Sequence, residues 1–355
     1  MDVFKRILKI LGIVIAVIVV AALGFFIWLW ATEYRPAAEE PVTVEAPVDQ
    51  ALNKTSFTVL SWNVGYCALG EDSDFFMDGG ETVRPDSRDV ITENLAGVRG
   101  YLTGIKADFT LLQEADSDSK RSYGVDEVAA LREKLGQTSA YAMNFCTNYV
   151  PYPWPTLGRV HSGLLTFSHY QITGATRISL PCPFSWPMSM VNLKRCLLVS
   201  RVSLQGSDKE LVLVNLHLEA YDDGEGKLAQ SKQLREFLAA EYEKGNYVVA
   251  GGDWNQLFPD TGNVYPNTHP ELWTPGYLDQ SELSAGWRYV WDAAAPTCRL
   301  LNQPYDPADA ENTQYYVIDG FLVSPNLIVE SVETLDEGFT YSDHNPVLLT
   351  ISLED

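Results

Sequence analysis

The chain contains no C-x-x-C pair, no glycine-rich loop of the kind that cradles nucleotide phosphates, and few basic residues. Without paired cysteines there is no signature of a zinc site or a dithiol redox centre. The five cysteines, Cys67, Cys146, Cys182, Cys196 and Cys298, are scattered and odd in number. Buried thiols are the favoured reading, with one or two disulfides left open for an extracytoplasmic domain. The missing loop argues against nucleotide chemistry of the Walker or dinucleotide-fold type. Lys and Arg number 25 against 47 Asp and Glu, a net charge of -22; setting aside Asp2, Lys5, Arg6 and Lys9 (net +2) leaves -24 for the rest. Such a surface repels polyanions, although moderate salt screens the repulsion beyond about 10 Å, so nucleic acid is disfavoured as a partner without being excluded. No internal repeat is present.

What the chain does have is enough apolar material, 46% of 355 residues, to bury a large core. Its start is set apart. Residues Ile10 to Trp30 carry no charge, about the length that crosses a bilayer as a helix. Lys5, Arg6 and Lys9 precede this run, Glu33, Glu39 and Glu40 follow it, and Trp28 and Trp30 lie at its far end. Basic flanks stay cytoplasmic and indoles favour the interface, so the sequence predicts a cytoplasmic segment 1–9, a transmembrane anchor 10–30 and an extracytoplasmic remainder. A cleaved signal peptide is the competing reading, but the run is long for one and no small-x-small site closes it. A buried core helix would need polar punctuation that is missing. The Pro-, Ala- and Glu-rich stretch 31–54 shows no period and is expected to be a stiff acidic tether to a single domain, 55–355.

Within that domain, strand-like runs alternate with amphipathic helical stretches. Phe57 to Asn63, Phe109 to Gln113, Gly163 to Ser168, Cys196 to Leu204, Leu211 to Leu216, Tyr247 to Ala250, Tyr316 to Val323 and Val347 to Ile351 read as strands. Arg88 to Lys106 and Lys227 to Lys244 read as helices, the second with Leu228, Leu234, Phe237 and Leu238 on its apolar side. Several strands neighbour each other as hairpins, which favours an α/β fold with two stacked β-sheets and flanking helices over a doubly wound parallel sheet.

The polar residues Asn63, Glu114, His217, Asp253, Asn255, Asp319, Asp343 and His344 each fall at or just past the end of an apolar run. In a sheet sandwich such ends can converge on one rim and build a site from distant segments. Glu114 is the strongest metal-ligand candidate, because a hard carboxylate suits Mg²⁺, which keeps several waters and takes few protein ligands. Asn63 and Asp343 are candidate supporting ligands. Asp253 is a candidate to orient or deprotonate a water, with Asn255 to hold that water or a substrate oxygen, although Gly-Gly-Asp-Trp-Asn taken alone is more often an ordinary turn. His161, His169 and His269 lack such a context and are read as core or surface residues.

Six segments, in order, carry a resemblance: Ser61-Trp62-Asn63, Leu112-Gln113-Glu114, Asn215-Leu216-His217, Gly252-Asp253-Trp254-Asn255, Ile318-Asp319-Gly320 and Ser342-Asp343-His344-Asn345-Pro346-Val347. Together they resemble the signature blocks of the endonuclease/exonuclease/phosphatase superfamily, over about residues 56–355. The resemblance implies a four-layer α/β/β/α domain and Mg²⁺-dependent phosphoester hydrolysis, with Mn²⁺ as a substitute ion. It also implies that Asp319 fixes and charges His344, whose imidazolium stabilises the phosphoryl centre or its leaving group, and that His217 donates to a non-bridging phosphate oxygen.

Two features depart from the nuclease members: the long segment from Gln256 to Gln314, rich in Pro, Trp and Tyr, and the scarcity of basic residues, with Arg159, Lys194 and Arg195 the few near strand ends. The expectation is therefore a membrane-anchored phosphoesterase acting outside the cell on a lipid or small-molecule phosphate ester. The alternatives are a nuclease of the same superfamily and a catalytically inactive surface-binding protein with the same fold. The uncharged segments Pro151 to Pro155 and Pro181 to Met190, which carry Tyr152, Trp154, Phe184, Trp186, Met188 and Met190, read either as ordinary loop packing or as a substrate-side lip that touches lipid.

Overall fold

A computed structural model describes residues 2–222 and 224–354; residues 1, 223 and 355 of the expected segments lie outside it. The first element, α1 (Asp2–Ala31), contains a stretch from Val3 to Ala31 that is long and apolar enough to span a membrane. The following strands in chain order are β1 (Glu39–Val42), β2 (Val44–Glu45), β3 (Ser56–Asn63), β4 (Phe109–Asp116), β5 (Thr138–Val150), β6 (Gly158–Ser168), β7 (Ile172–Ser179), β8 (Cys196–Ser203), β9 (Glu210–His217) and β10 (Tyr247–Asp253). They are completed by β11 (Arg288–Val290), β12 (Asp319–Val323), β13 (Leu327–Thr334) and β14 (Val347–Leu353), and joined by α2 (Arg88–Ile105), α3 (Glu127–Leu135) and α4 (Glu225–Glu243).

Two seven-stranded sheets form, in the orders β1-β7-β8-β9-β10-β12-β11 and β13-β14-β3-β4-β6-β5-β2. The β9–β10 and β3–β4 pairs are parallel and their neighbours antiparallel. Strand alternation sorts the side chains. Phe57, Val59, Phe109, Leu111, Leu198, Leu211, Leu213, Val249 and Phe321 face inward and form the core between the sheets. Leu60, Trp62, Leu112 and Leu165 face outward against Ile91, Leu95, Val98 and Leu102 of α2. On the opposite side, Val212, Val214, Val248 and Ala250 pack on Leu234 and Leu238 of α4. The result is a four-layer α/β/β/α sandwich.

Three expectations need correction. The stretch 31–54 holds two strands: β1 pairs with β7 in one sheet and β2 with β5 in the other. Both are edge strands, where proline such as Pro41 removes no obligatory ladder bond, which is why a Pro-rich composition hid them. The run Tyr316 to Val323 is broken, because Val317 and Ile318 turn their carbonyls to the amides of Phe258 and Trp254. Leu228 of α4 is exposed. That end of the helix buries polar groups instead: Gln230 accepts from the Glu219 amide at 2.9 Å and Lys227 donates to the Ala220 carbonyl at 2.7 Å. All five cysteines are free thiols.

Candidate active site

The inward-facing register that builds the core also builds the site. On β3 the series Phe57, Val59, Ser61 ends at Asn63; on β9 the series Leu211, Leu213, Asn215 ends at His217; on β10 the series Val249, Gly251 ends at Asp253. Because β9, β10 and β12 lie side by side, Asp253 is in register with both His217 and Asp319. Gly251 is needed beneath them, since a Cβ there would come within 2.5 Å of the Phe321 ring. Just below the rim the two sheets are tied by Gln113, which donates to the Asn215 side chain at 2.8 Å, while Asn215 donates to the Leu112 carbonyl at 3.0 Å.

Glu114 reaches the rim by a different device. The β4–β6 register slips between Leu112 and Ala115, and Glu114 sits in the slip with a left-handed φ of 57°. Such a bulge re-aims a side chain that regular pleating would point outward, and a non-glycine residue held there is strained. Its Oε1 lies 3.9 Å from His217 Nδ1, and its buried Oε2 has no hydrogen-bond partner.

Asp253 Oδ2 accepts from Asn63 Nδ2 at 3.0 Å and lies 3.3 Å from His217 Nε2 and 3.8 Å from His344 Nε2. Its Oδ1 accepts the Asn255 amide at 2.9 Å, and Asn255 is anchored by donating to the Leu218 carbonyl. His344 Nδ1 is 2.8 Å from Asp319 Oδ2, and its Nε2 faces the cleft, 3.9 Å from Asp343. Seven of the eight singled-out residues line one cleft of about 490 Å³; Asp319 stands behind His344.

Burial and crowding set the charges. Burial, reinforced by neighbouring acids, lifts Asp253 to about 6 and Asp343 to about 7, and raises Glu114 despite nearby Arg121 and Arg195. Burial works against a charged His344, but Asp319 outweighs it, with help from Cys298 and Asp343, and holds the imidazole well above its usual pKa. His217 goes the other way, pushed well down by burial and then by Arg195, His344 and Arg121. The two histidines are therefore biased in opposite directions, His344 toward the imidazolium and His217 toward the neutral ring.

A hard divalent cation fits this donor set. An unpartnered buried carboxylate oxygen on Glu114 and a crowd of acids with raised pKa values are what oxygen-ligated Mg²⁺ relieves. Two tighter acid–base groupings, Cys298–Asp343–His344 and Asp253–Asp319–His344, share His344. In the second, Nδ1 is already engaged by Asp319, which makes it a hydrogen-bonded pair and not a coordination shell.

The sequence reading missed Arg121, Tyr66, Asp78 and Tyr221, all of which line the cleft. Arg121 is held by Asp116 at 2.9 and 3.1 Å and lies 3.5 Å above the Tyr66 ring. Tyr221 donates to Asp78 at 2.8 Å. Arg195, noted only as a basic residue near a strand end, also lines the cleft and sits 3.5 Å from Glu219. Lys194 and Arg159 are engaged elsewhere, by Glu33 and Asp118.

With this geometry in place, residues 60–344 match the model of the Endonuclease/Exonuclease/phosphatase family. The chain belongs to this family. Its members are typically phosphoester hydrolases. The fold is similar to that of an endonuclease/exonuclease/phosphatase from Beutenbergia cavernae (TM-score 0.58, 18% identity, 85% of this chain and 72% of that one). It is also similar to ANGEL2, a 2',3'-cyclic phosphatase (TM-score 0.56, 16% identity, 89% and 99%), and to the human Nocturnin catalytic domain with bound sulfate (TM-score 0.51, 15% identity, 88% and 97%). No curated protein sequence gives a significant match.

Proposed function

We propose that this family member is a Mg²⁺-dependent phosphoesterase that hydrolyses a lipid or small-molecule phosphate ester on the outer side of the membrane. One observation carries the reading: Glu114, with its unpartnered buried oxygen, faces a rim on which Asp253 and the charged His344–Asp319 pair converge. Glu114, with Asn63 and Asp343, would hold the ion, which when bound supplies charge neutralisation for the phosphoryl oxygens. Asp253, with a pKa near 6, is a base matched to neutral pH. It takes a proton from a water whose oxygen forms the new bond to phosphorus, while the ester P–O bond breaks and the leaving oxygen takes a proton from solvent, to which Asp253 then releases its own.

His344, charged by Asp319, faces the phosphoryl centre through Nε2 and stabilises the developing charge. His217, being neutral, donates one hydrogen bond to a non-bridging oxygen. Asn255 fixes Asp253 through its amide. The basic flank of α1 supports a cytoplasmic N-terminus.

The test is release of product from bis-p-nitrophenyl phosphate and p-nitrophenyl phosphate with and without EDTA. EDTA-sensitive turnover that Mg²⁺ or Mn²⁺ restores is expected. A folded protein with no turnover on any phosphate ester would instead leave the inactive surface-binding reading.

A further inference from the structure

The anchor is not hung from a free tether; its end packs against segments that wall the cleft. At the end of α1, the Phe25 ring meets Tyr149 at 5.7 Å, Phe26 meets Trp186 at 5.4 Å, and Leu29 is buried. Beyond it, Glu33 pairs with Lys194 at 3.2 Å and the Tyr34 ring lies under the Arg177 guanidinium. Arg177 is itself fixed by donating to the carbonyls of Met143 and Lys194. The pairing of β1 and β2 with both sheets then follows at once.

The segments that grip α1 are those that wall the cleft. Residues 146–158 and 180–193 contain no charged residue. Tyr152, Leu157, Phe184, Met188 and Val191 from these segments line the cleft. The same segments also face solvent: Trp154 is 90% exposed, Tyr152 68%, Trp186 60% and Met188 58%.

The depth of this wall follows from the helix. Lys9 is the last charge before the apolar run, and at ~1.5 Å per residue a hydrocarbon layer of ~30 Å takes about 20 residues, from Ile10 to near Leu29. Phe25 and Phe26 then lie about 5 Å inside the outer boundary. Rings packed on them lie within about 5 Å of that boundary, next to the interfacial layer where Trp and Tyr partition favourably.

We propose that Tyr152, Trp154, Trp186 and Met188 sit in the outer interfacial layer of the bilayer that anchors α1. The cleft thereby takes the phosphate ester of an amphiphile from that same leaflet, its apolar part lying along the wall. The second half of this inference rests on the phosphoesterase reading; the first does not.

The full chain in phosphatidylcholine nanodiscs, with bromine near the headgroup or near the chain end, separates the two. The part of the quenching that vanishes in the double variant Trp154→Phe/Trp186→Phe should be at least threefold larger for the shallow bromines. Absence of any such part, or shielding of these indoles from iodide by a bound protein, overturns the seating. A flexible insert of about 20 residues after Thr32 should at least halve that quenching and lower turnover of bilayer phospholipid about tenfold, with bis-p-nitrophenyl phosphate turnover within twofold as the control for folding. Undiminished phospholipid turnover overturns delivery from the same leaflet. If the unmodified chain cleaves neither substrate, the phosphoesterase reading and the delivery step fail together, and quenching alone decides the seating.

Discussion

The floor and the wall of the cleft are made by opposite means. The floor is polar, rigid and drawn from six segments spread over most of the chain, each fixed by strand register or a short hydrogen bond. The wall is apolar, drawn in large part from two uncharged loops against which the end of α1 packs, and held by ring contacts. On the proposed reading, the difference separates chemistry from substrate delivery: the floor would determine which bond is broken, and the wall what brings that bond to it.

The sharpest division between them comes from Glu114→Gln, the substitution with the largest expected effect. Removing the charge but not the shape should lower Mg²⁺-dependent turnover by orders of magnitude on soluble and bilayer substrates alike. It also removes the charge from a carboxyl group whose buried Oε2 has no hydrogen-bond partner and whose ionisation burial disfavours, so the metal-free protein should melt no lower than the parent, while the upward shift of Tm on adding Mg²⁺ disappears. Asp253→Asn should lose about 10²- to 10⁴-fold in kcat with a smaller change in KM. A change confined to KM would move Asp253 from base to substrate contact.

Asp319→Asn acts through His344 and should be milder, on the order of 10- to 100-fold in kcat. Its signature is the pH profile. Asp319 raises the His344 pKa, so without it the imidazole deprotonates at lower pH, and the alkaline limb of kcat/KM should move to lower pH. An unmoved limb, together with normal folding, would deny that the pair acts as described.

The same acids predict how stability responds to pH. Asp253 and Asp343 have folded-state pKa values of about 6 and 7, above an ordinary carboxylate. The folded state therefore holds protons that the unfolded chain has lost, so their contribution is full below pH ~4 and is lost as pH rises through 6 and 7. His217, depressed by burial, contributes in the opposite direction up to pH ~6.5. Because a cation needs these carboxylates ionised, the Tm difference between Mg²⁺ and EDTA should be small at pH 5.5 and grow by pH 8. A difference that shrinks with pH would exclude Asp343 and Glu114 as the ion's ligands.

Legibility in the sequence divides along the same line. Asn63, His217 and Asp253 could be singled out because each is a polar residue closing an apolar strand, a pattern that local periodicity exposes, whereas Asp319 opens its strand and stood out as a lone acid in an apolar run. Glu114 was found for the same reason, although the bulge that aims it was not visible. Arg121, Tyr66, Asp78 and Tyr221 lie in turns with no period, and only long-range packing brings them to the cleft. Strand β5 was missed because its register slips at Met143/Phe145 and Thr147/Val150, which breaks the alternation a strand is read by. The uncharged loops were noticed, but their grip on α1 was not, because it rests on contacts between segments far apart in the chain, Phe25 with Tyr149 and Phe26 with Trp186.

The smallest expected effect tests whether the wall is energetically independent of the floor. Met188 lines the cleft yet is 58% exposed, so Met188→Ala leaves no closed cavity and should change stability by no more than about 0.5 kcal/mol. It touches none of the groups that hold or move protons, so kcat on a small soluble diester should stay within about twofold. For a substrate whose apolar chain lies along the wall, the lost contact is roughly 1 to 1.4 kcal/mol, which corresponds to about a five- to tenfold rise in KM at constant kcat. Steady-state kinetics on short- and long-chain phosphate esters that share one headgroup read this directly. Equal KM changes for both chain lengths would mean that Met188 serves only loop packing, whereas a fall in kcat would mean that wall and floor are mechanically coupled after all.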